Sequence, residues 1–154
     1  MYKERTKEKI YNICIAEGSF IPLASIDTEQ IKSIVHIALM DLFAVQQWLK
    51  IAKKDGLEWN AIYKLHYDIL HELIEAFLRF DKMKVRTHEC LFVFLCEKHP
   101  ELELDWDFFE KIRTKRNGSI YYGKALSYQD WEEIKLQMNL YISTIQKVLK
   151  ERLK

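Results

Sequence analysis

The chain has 154 residues, 49% of them hydrophobic and 31% charged, which fits one domain with a real core and excludes a disordered chain. Lys+Arg 24 against Asp+Glu 23 leaves a net charge of +1. There is no global field for nucleic acid or an acidic surface, so any such case rests on local clusters.

In chain order, "MYKERTKEK" lacks the apolar core of a signal peptide. A first helix is predicted over about residues 4–17, stopped by Gly18. "SFIPLAS" then reads as a loop. Asp27 or Thr28 caps the second helix, with Asp27 and Gln30 at capping-box spacing. Ile31, Ile34, Val35, Ala38, Leu42, Val45, Leu49 and Ala52 follow at steps of three and four, and Gly56 ends the run. His36 and Asp41 interrupt its most apolar part, so no membrane span is expected.

A third helix runs from about Trp59 to Phe80, with Ile62, Leu65, Ile69, Leu73, Ala76 and Phe80 as its stripe. "DKMKVR" reads as a basic loop. Thr87 caps a shorter helix through "HECLFVFLCEK", which Pro100 stops. Asp105 caps the next, and Asn117-Gly118 weakens it. The last helix begins near Ser127 and carries Trp131, Ile134, Met138, Tyr141, Ile145 and Val148. Four glycines and two prolines in the whole chain leave little room for many short strands. The expected product is all-α, an up-and-down bundle of four to six helices. Cys14, Cys90 and Cys96 lack CxxC spacing and read as reduced, mostly buried thiols of a cytosolic protein.

Most catalytic signatures fail on one residue. "GSIYYGKA" misses the phosphate-cradling loop because Ala125 replaces the hydroxyl that holds Mg²⁺. "THECLF" has Phe92 where a zinc motif needs its second His. Asp68-x-x-His71 is one carboxylate–His pair where a di-iron bundle needs two. His66 and His71 lie about 140° apart on a helix. No metal or cofactor is expected. Lys111, Arg113, Lys115 and Arg116 form a basic cluster, with Arg113 and Arg116 on one helix face. Two guanidinium groups so placed can fork onto phosphate, or they can pair with the acidic run from Glu101 to Glu110.

From about Ile31 onward these motifs resemble the HEPN family of small helical-bundle proteins. "YDILHELIEAFLRFDKMKVRTHECLFVFL" is similar to the family's central helix, basic turn and His-opened short helix, with His88 at the opening position. "KIRTKRNGSIYYG" is similar to its Arg-polar motif, and a long terminal helix follows. Residues 1–30 lie outside the resemblance as an extension, and 31–154 form the HEPN-like bundle.

The resemblance implies a site of Arg116, Asn117 and Tyr121, with Arg113, Lys115 and Arg116 binding phosphate and His88, Asp68 and Glu72 in support. In the family's metal-independent ribonucleases, Arg stabilises phosphate charge and a His moves a proton. Here Tyr121 stands at that His position. An imidazole titrates near neutrality and a phenol near ~10, so weak or lost catalysis is expected. Asn117-Gly118 is expected to bend the chain so that Arg116 and Tyr121 face one cleft at a two-fold axis. Alternatively, Arg116 bonds an acid such as Asp68 or Glu72 across the bundle, while Tyr121 and Tyr122 pack. The resemblance further implies a cytoplasmic homodimer that binds RNA or a nucleotide, with a nucleotidyltransferase-type antitoxin as partner. An active ribonuclease toxin and a purely structural interaction module stay open as alternatives.

Overall fold

The computed structural model describes residues 5–154; the first four residues of "MYKERTKEK", including the expected start of the first helix, lie outside them. Six α-helices are present among the described residues: α1 Lys7–Ala16, α2 Thr28–Ile51, α3 Trp59–Arg79, α4 His88–Lys98, α5 Trp106–Tyr122 and α6 Tyr128–Arg152. A 3-10 turn, Pro100–Leu102, precedes α5. The protein is an all-α helical bundle, as its periodicity indicates.

Local chemistry sets the helix starts. Oxygens of Thr6, Asp27, Thr87, Asp105 and Ser127 each accept a backbone N–H at the start of a helix. Ser127 and Asp130 form a reciprocal capping box. Such caps satisfy donors that the first helical turn leaves free.

α3 is the central element. Its buried residues run nearly all round it: Ile62, Ile69, Leu73 and Ala76 on one side, Tyr63, Tyr67, Leu70, Ile74 and Phe77 on others. It is wrapped by α2, α4, α5 and α6, so the single stripe expected from periodicity is only part of its core. Burying each Leu or Ile contributes about 1.5–3 kcal/mol.

Two expected loops contain strand. β1, Phe20–Pro22, pairs antiparallel with β2, Met83–Val85, with Phe20 opposite Val85. Phe20 wedges between Tyr11 and Phe94, with ring centroids 5.4 and 5.0 Å away. That packing fixes a strand of three residues, too short to show a period of its own.

The cysteines also differ from expectation. Cys14 and Cys90 are joined in a disulfide that ties α1 to α4, and only Cys96 is a free, buried thiol. Seventy-six residues separate the pair, and only the tertiary fold brings them together.

α2 packs chiefly on α3. Ile31, Ala38 and Val45 are fully buried there at heptad spacing, while Ile37, Met40, Phe43, Trp48 and Ile51 remain exposed. By length and composition alone α2 is apolar enough to cross a membrane; the expectation of no span rested on His36 and Asp41.

Candidate functional site

α5 carries the site residues. Its helix continues through Asn117 and Gly118 and ends at Gly123, whose left-handed backbone, φ 65°, forms the C-cap. The expected bend at Asn117-Gly118 is therefore absent. Flanking residues supply enough hydrogen bonding and packing to carry the helix across one glycine, which costs only about 1 kcal/mol. Arg116 and Tyr121 remain on different sides of a straight helix.

One side of α5 faces α3 and the start of α4. Arg113 grips Glu110 at 3.0 and 3.1 Å and Glu89 at 2.7 Å. Arg5 reaches Glu89 as well. Arg116 contacts Asp68 Oδ1 at 3.5 Å, and its guanidinium carbon lies 4.9 Å from the centre of the Tyr67 ring. Of the two acids expected as alternatives, Asp68 is the partner. Glu72 has a buried carboxylate oxygen with no hydrogen-bond partner.

Behind Tyr67 stand two histidines. The Tyr67 hydroxyl and His88 Nδ1 are hydrogen-bonded at 2.9 Å. The His88 ring stacks on His71 with centroids 3.9 Å apart. Burial, then Arg116 and Arg113, push the His88 pKa down to about 4. Burial, then His88 and Arg116, push His71 down to about 3. Both imidazoles are neutral at pH 7. Burial, then the carboxylates of Asp41, Asp68 and Glu75, push Glu72 up to about 7. Burial also raises Asp68, outweighing the downward pull of Arg116 and Lys64. The long Arg116 contact explains that balance, since a pair at 3.5 Å stabilises a carboxylate weakly.

The other side of α5 forms a groove of about 840 Å³ against residues 124–126 and Asp130. Arg113, Lys115, Asn117 and Tyr121 line it, with Lys111, Tyr122 and Lys124. Lys115 pairs with Asp130 at 3.1 Å and Lys111 with Glu133 at 3.7 Å. Tyr121 and Tyr122 are 70% and 76% exposed, so they do not pack into the core. Asn60 holds the far wall, since its Oδ1 accepts from Ser119 Oγ at 2.8 Å and from the Leu126 amide at 2.9 Å.

The structure thus divides the expected site. Arg116, Asp68 and His88 meet on the α3 side, with Glu72 near Asp68. Lys115, Asn117 and Tyr121 meet in the groove, and Arg113 touches both. Sequence reasoning missed Tyr67 and Asn60, and weighed His71 only as a metal ligand. Asp68-x-x-His71 was visible as a pair, but its meaning as half of an imidazole stack depends on α4. His66, the other α3 histidine, lies elsewhere: its Nδ1–H donates to the Ile62 carbonyl at 2.8 Å and its ring packs on Trp131.

Comparison with family models, with curated proteins and with solved structures finds no match.

Proposed function

We propose that the chain is a HEPN-like helical protein that binds RNA or a nucleotide phosphate along α5, with catalysis weakened or lost. The observation that carries this reading is the groove of about 840 Å³ in which basic side chains and two exposed tyrosines converge. Exposed rings offer faces for bases, and the neighbouring lysines offer partners for phosphates. The lysines of the Lys115–Asp130 and Lys111–Glu133 pairs are half-exposed, and such surface pairs contribute little, so phosphate can draw the lysines away. Weak catalysis follows from Tyr121 at the family's proton-carrier position and from its separation from Arg116.

The remaining parts of the proposal rest on the resemblance: a cytoplasmic homodimer paired with a nucleotidyltransferase-type antitoxin. One observation supports the dimer. Asp41, whose charge acts on Asp68, lies on the same α2 face as exposed Ile37 and Trp48. A second copy on that stripe borders the Asp68–Arg116 pair. The rival reading, an active metal-independent ribonuclease, also has one observation in its favour: His88 lies on the Arg116 side of α5.

A filter-retention series with a single-stranded RNA tests the reading. Retention is expected to fall steeply between about 50 and 200 mM salt, and Lys115→Ala with Lys124→Ala to weaken it. A gel assay, with and without chelator, is expected to show slow cleavage or none. Robust Arg116-dependent cleavage promotes the ribonuclease. No retention at low salt leaves the structural module.

A further inference from the structure

α1 is lightly held to the rest of the fold. Its buried side chains are Ile10 and Cys14, and Tyr11 adds a partly buried ring against Phe20. The ion pairs around it, Lys7 to Glu97 at 3.7 Å and Arg5 to Glu110 at 3.9 Å, rest on half-exposed cations and contribute little. Firm anchoring begins at Ser19, whose carbonyl accepts the Arg86 amide, and continues through the β1–β2 ladder. Between α1 and that anchor lies Gly18, left-handed at φ 67° with open space around it. Glycine is free to change φ, so this position can serve as a hinge. One covalent link ties α1 to α4, the Cys14–Cys90 bond.

We propose that the Cys14–Cys90 bond is the clasp of a redox latch: a dithiol reductant opens it, α1 swings off α4 about Gly18, and Arg5 leaves Glu89 and Glu110, which weakens phosphate binding along α5. The inference rests on the reading of a cytoplasmic protein with an RNA or nucleotide-phosphate surface on α5, and adds the regulation of that surface. In a reducing compartment disulfides are usually transient or redox-sensing rather than permanent staples. Both cysteines are buried, so the reductant reaches them when α1 lifts, and the small core of α1 makes that lift a low-energy local opening. A reductant thiolate then attacks Cys14 Sγ. Cys90 leaves as thiolate from the first turn of α4, where the helix dipole favours negative charge. The second reductant thiol displaces Cys14. The dithiol loses two electrons and two protons, and the protons end on Cys14 and Cys90. Cys96 is buried, and burial pushes its pKa up to about 12, so it stays out of the exchange.

The route to α5 is electrostatic. Glu89 Oε2 pairs with both Arg5 and Arg113, and Arg5 also faces Glu110. Glu110 and Arg113 line the α5 groove. While α1 is docked, two guanidiniums balance two carboxylates. Once Arg5 leaves, Glu89 and Glu110 face Arg113 alone, and an excess negative charge remains at the edge of the groove, where low salt screens it little. A partly exposed charge of this kind changes binding by about two- to fivefold.

Hydrogen exchange of the whole protein and filter retention of a single-stranded RNA, with and without dithiothreitol, test this. Dithiothreitol is expected to release the α1 amides to fast exchange while α3 and α6 stay protected. Retention at low salt is expected to fall about two- to fivefold with it, and oxidised glutathione to restore both. Cys14→Ser with Cys90→Ser is expected to match the reduced protein without any reductant; should that variant not fold, the dithiothreitol comparison decides alone. Arg5→Gln is expected to lower retention as much with the bond intact and α1 protected, and to make retention insensitive to dithiothreitol. α1 amides that stay protected once alkylation shows Cys14 and Cys90 reduced overturn the latch, as does a bond that dithiothreitol opens only in the denatured protein. Release of α1 with retention unchanged overturns its control of α5 and leaves the RNA reading standing. If RNA is retained in neither state, release of α1 supports the latch and the RNA reading is overturned.

Discussion

His71, His88 and His66 are three imidazoles that folding holds neutral, and they make stability depend on pH. Their folded pKa values, about 3, about 4 and about 4, lie below the usual 6.5, with burial the largest cause each time. Between about pH 4 and 6.5 the unfolded chain therefore binds more protons than the folded one. Their contribution is present above pH 6.5 and is lost as pH falls through that window. The midpoint of urea unfolding is expected to be lower at pH 5 than at pH 7, and His66→Phe, which keeps a ring against Trp131, to reduce the difference. Equal midpoints at both pH values refute the buried neutral histidines. Glu72 works the other way. Its folded pKa, about 7, lies above the usual 4.5, so its contribution is lost as pH rises from about 4.5 to 7. Glu72→Gln is expected to gain on the wild type more at pH 8 than at pH 5. At Tyr121 the prediction follows from direction. On a straight α5 the side chain at 121 points about 140° away from that of Arg116, so Tyr121→His is expected to leave RNA cleavage unchanged. A gain that depends on Arg116 means that α5 bends in use.

At the scale of elements, α5 decides the site because it is continuous. Gly118 lies within the helix, and a Cβ there meets only the Lys124 side chain, at 3.9 Å. Gly118→Ala is therefore expected to stabilise the protein by about 0.5–1 kcal/mol, read by chemical denaturation. Destabilisation points to a backbone that leaves the helix at this residue. Gly123 is the opposite case. Its left-handed C-cap penalises any side chain, so Gly123→Ala is expected to cost about 1 kcal/mol and to loosen the groove wall that Asn60 also holds. α2 has a different character again. Its inward stripe of Ile31, Ala38 and Val45 fixes it to α3, and its outward stripe is left exposed among the described residues. Ile37→Glu with Phe43→Glu tests the proposed dimer: light scattering at tens of micromolar is expected to show a dimer for the wild type and a monomer for the variant. A wild-type monomer rejects it.

For the molecule as a whole, α3 and the disulfide hold distant segments together. Leu70, fully buried on α3, is expected to cost about 2–5 kcal/mol as Leu70→Ala. The Cys14–Cys90 bond closes a long loop, and chain-entropy reasoning gives such a link about 4 kcal/mol. A reductant is therefore expected to lower the unfolding midpoint, and Cys14→Ser with Cys90→Ser to reproduce the loss. Alkylation before and after reduction is expected to count one and then three reactive thiols in the denatured protein. Three without reductant shows that the pair is not bonded. That result returns the cysteines to the reading their spacing first gave.

Sequence alone determined the helices, because 3.6-residue periodicity and capping oxygens act within a few residues of each other. Asp27, Thr87, Asp105 and Ser127 all announce helix starts that the fold uses. Sequence also identified the charged side chains that gather on α5, since Arg113 and Arg116 share a face by helical geometry alone. What it could not determine depends on distances between elements. The β1–β2 ladder, the Cys14–Cys90 bond and the His71–His88 stack each join residues far apart in the chain, and no local pattern encodes their meeting. The choice of Asp68 over Glu72 as the partner of Arg116 was also tertiary, because both carboxylates lie on α3 only four residues apart and the packing of α5 selects between them. So was the course of α5 through Asn117-Gly118. Local propensity favoured a break there, but packing of Arg113, Ile112 and Phe109 against α3 and α4, with Gly123 capping the end, carries the helix across.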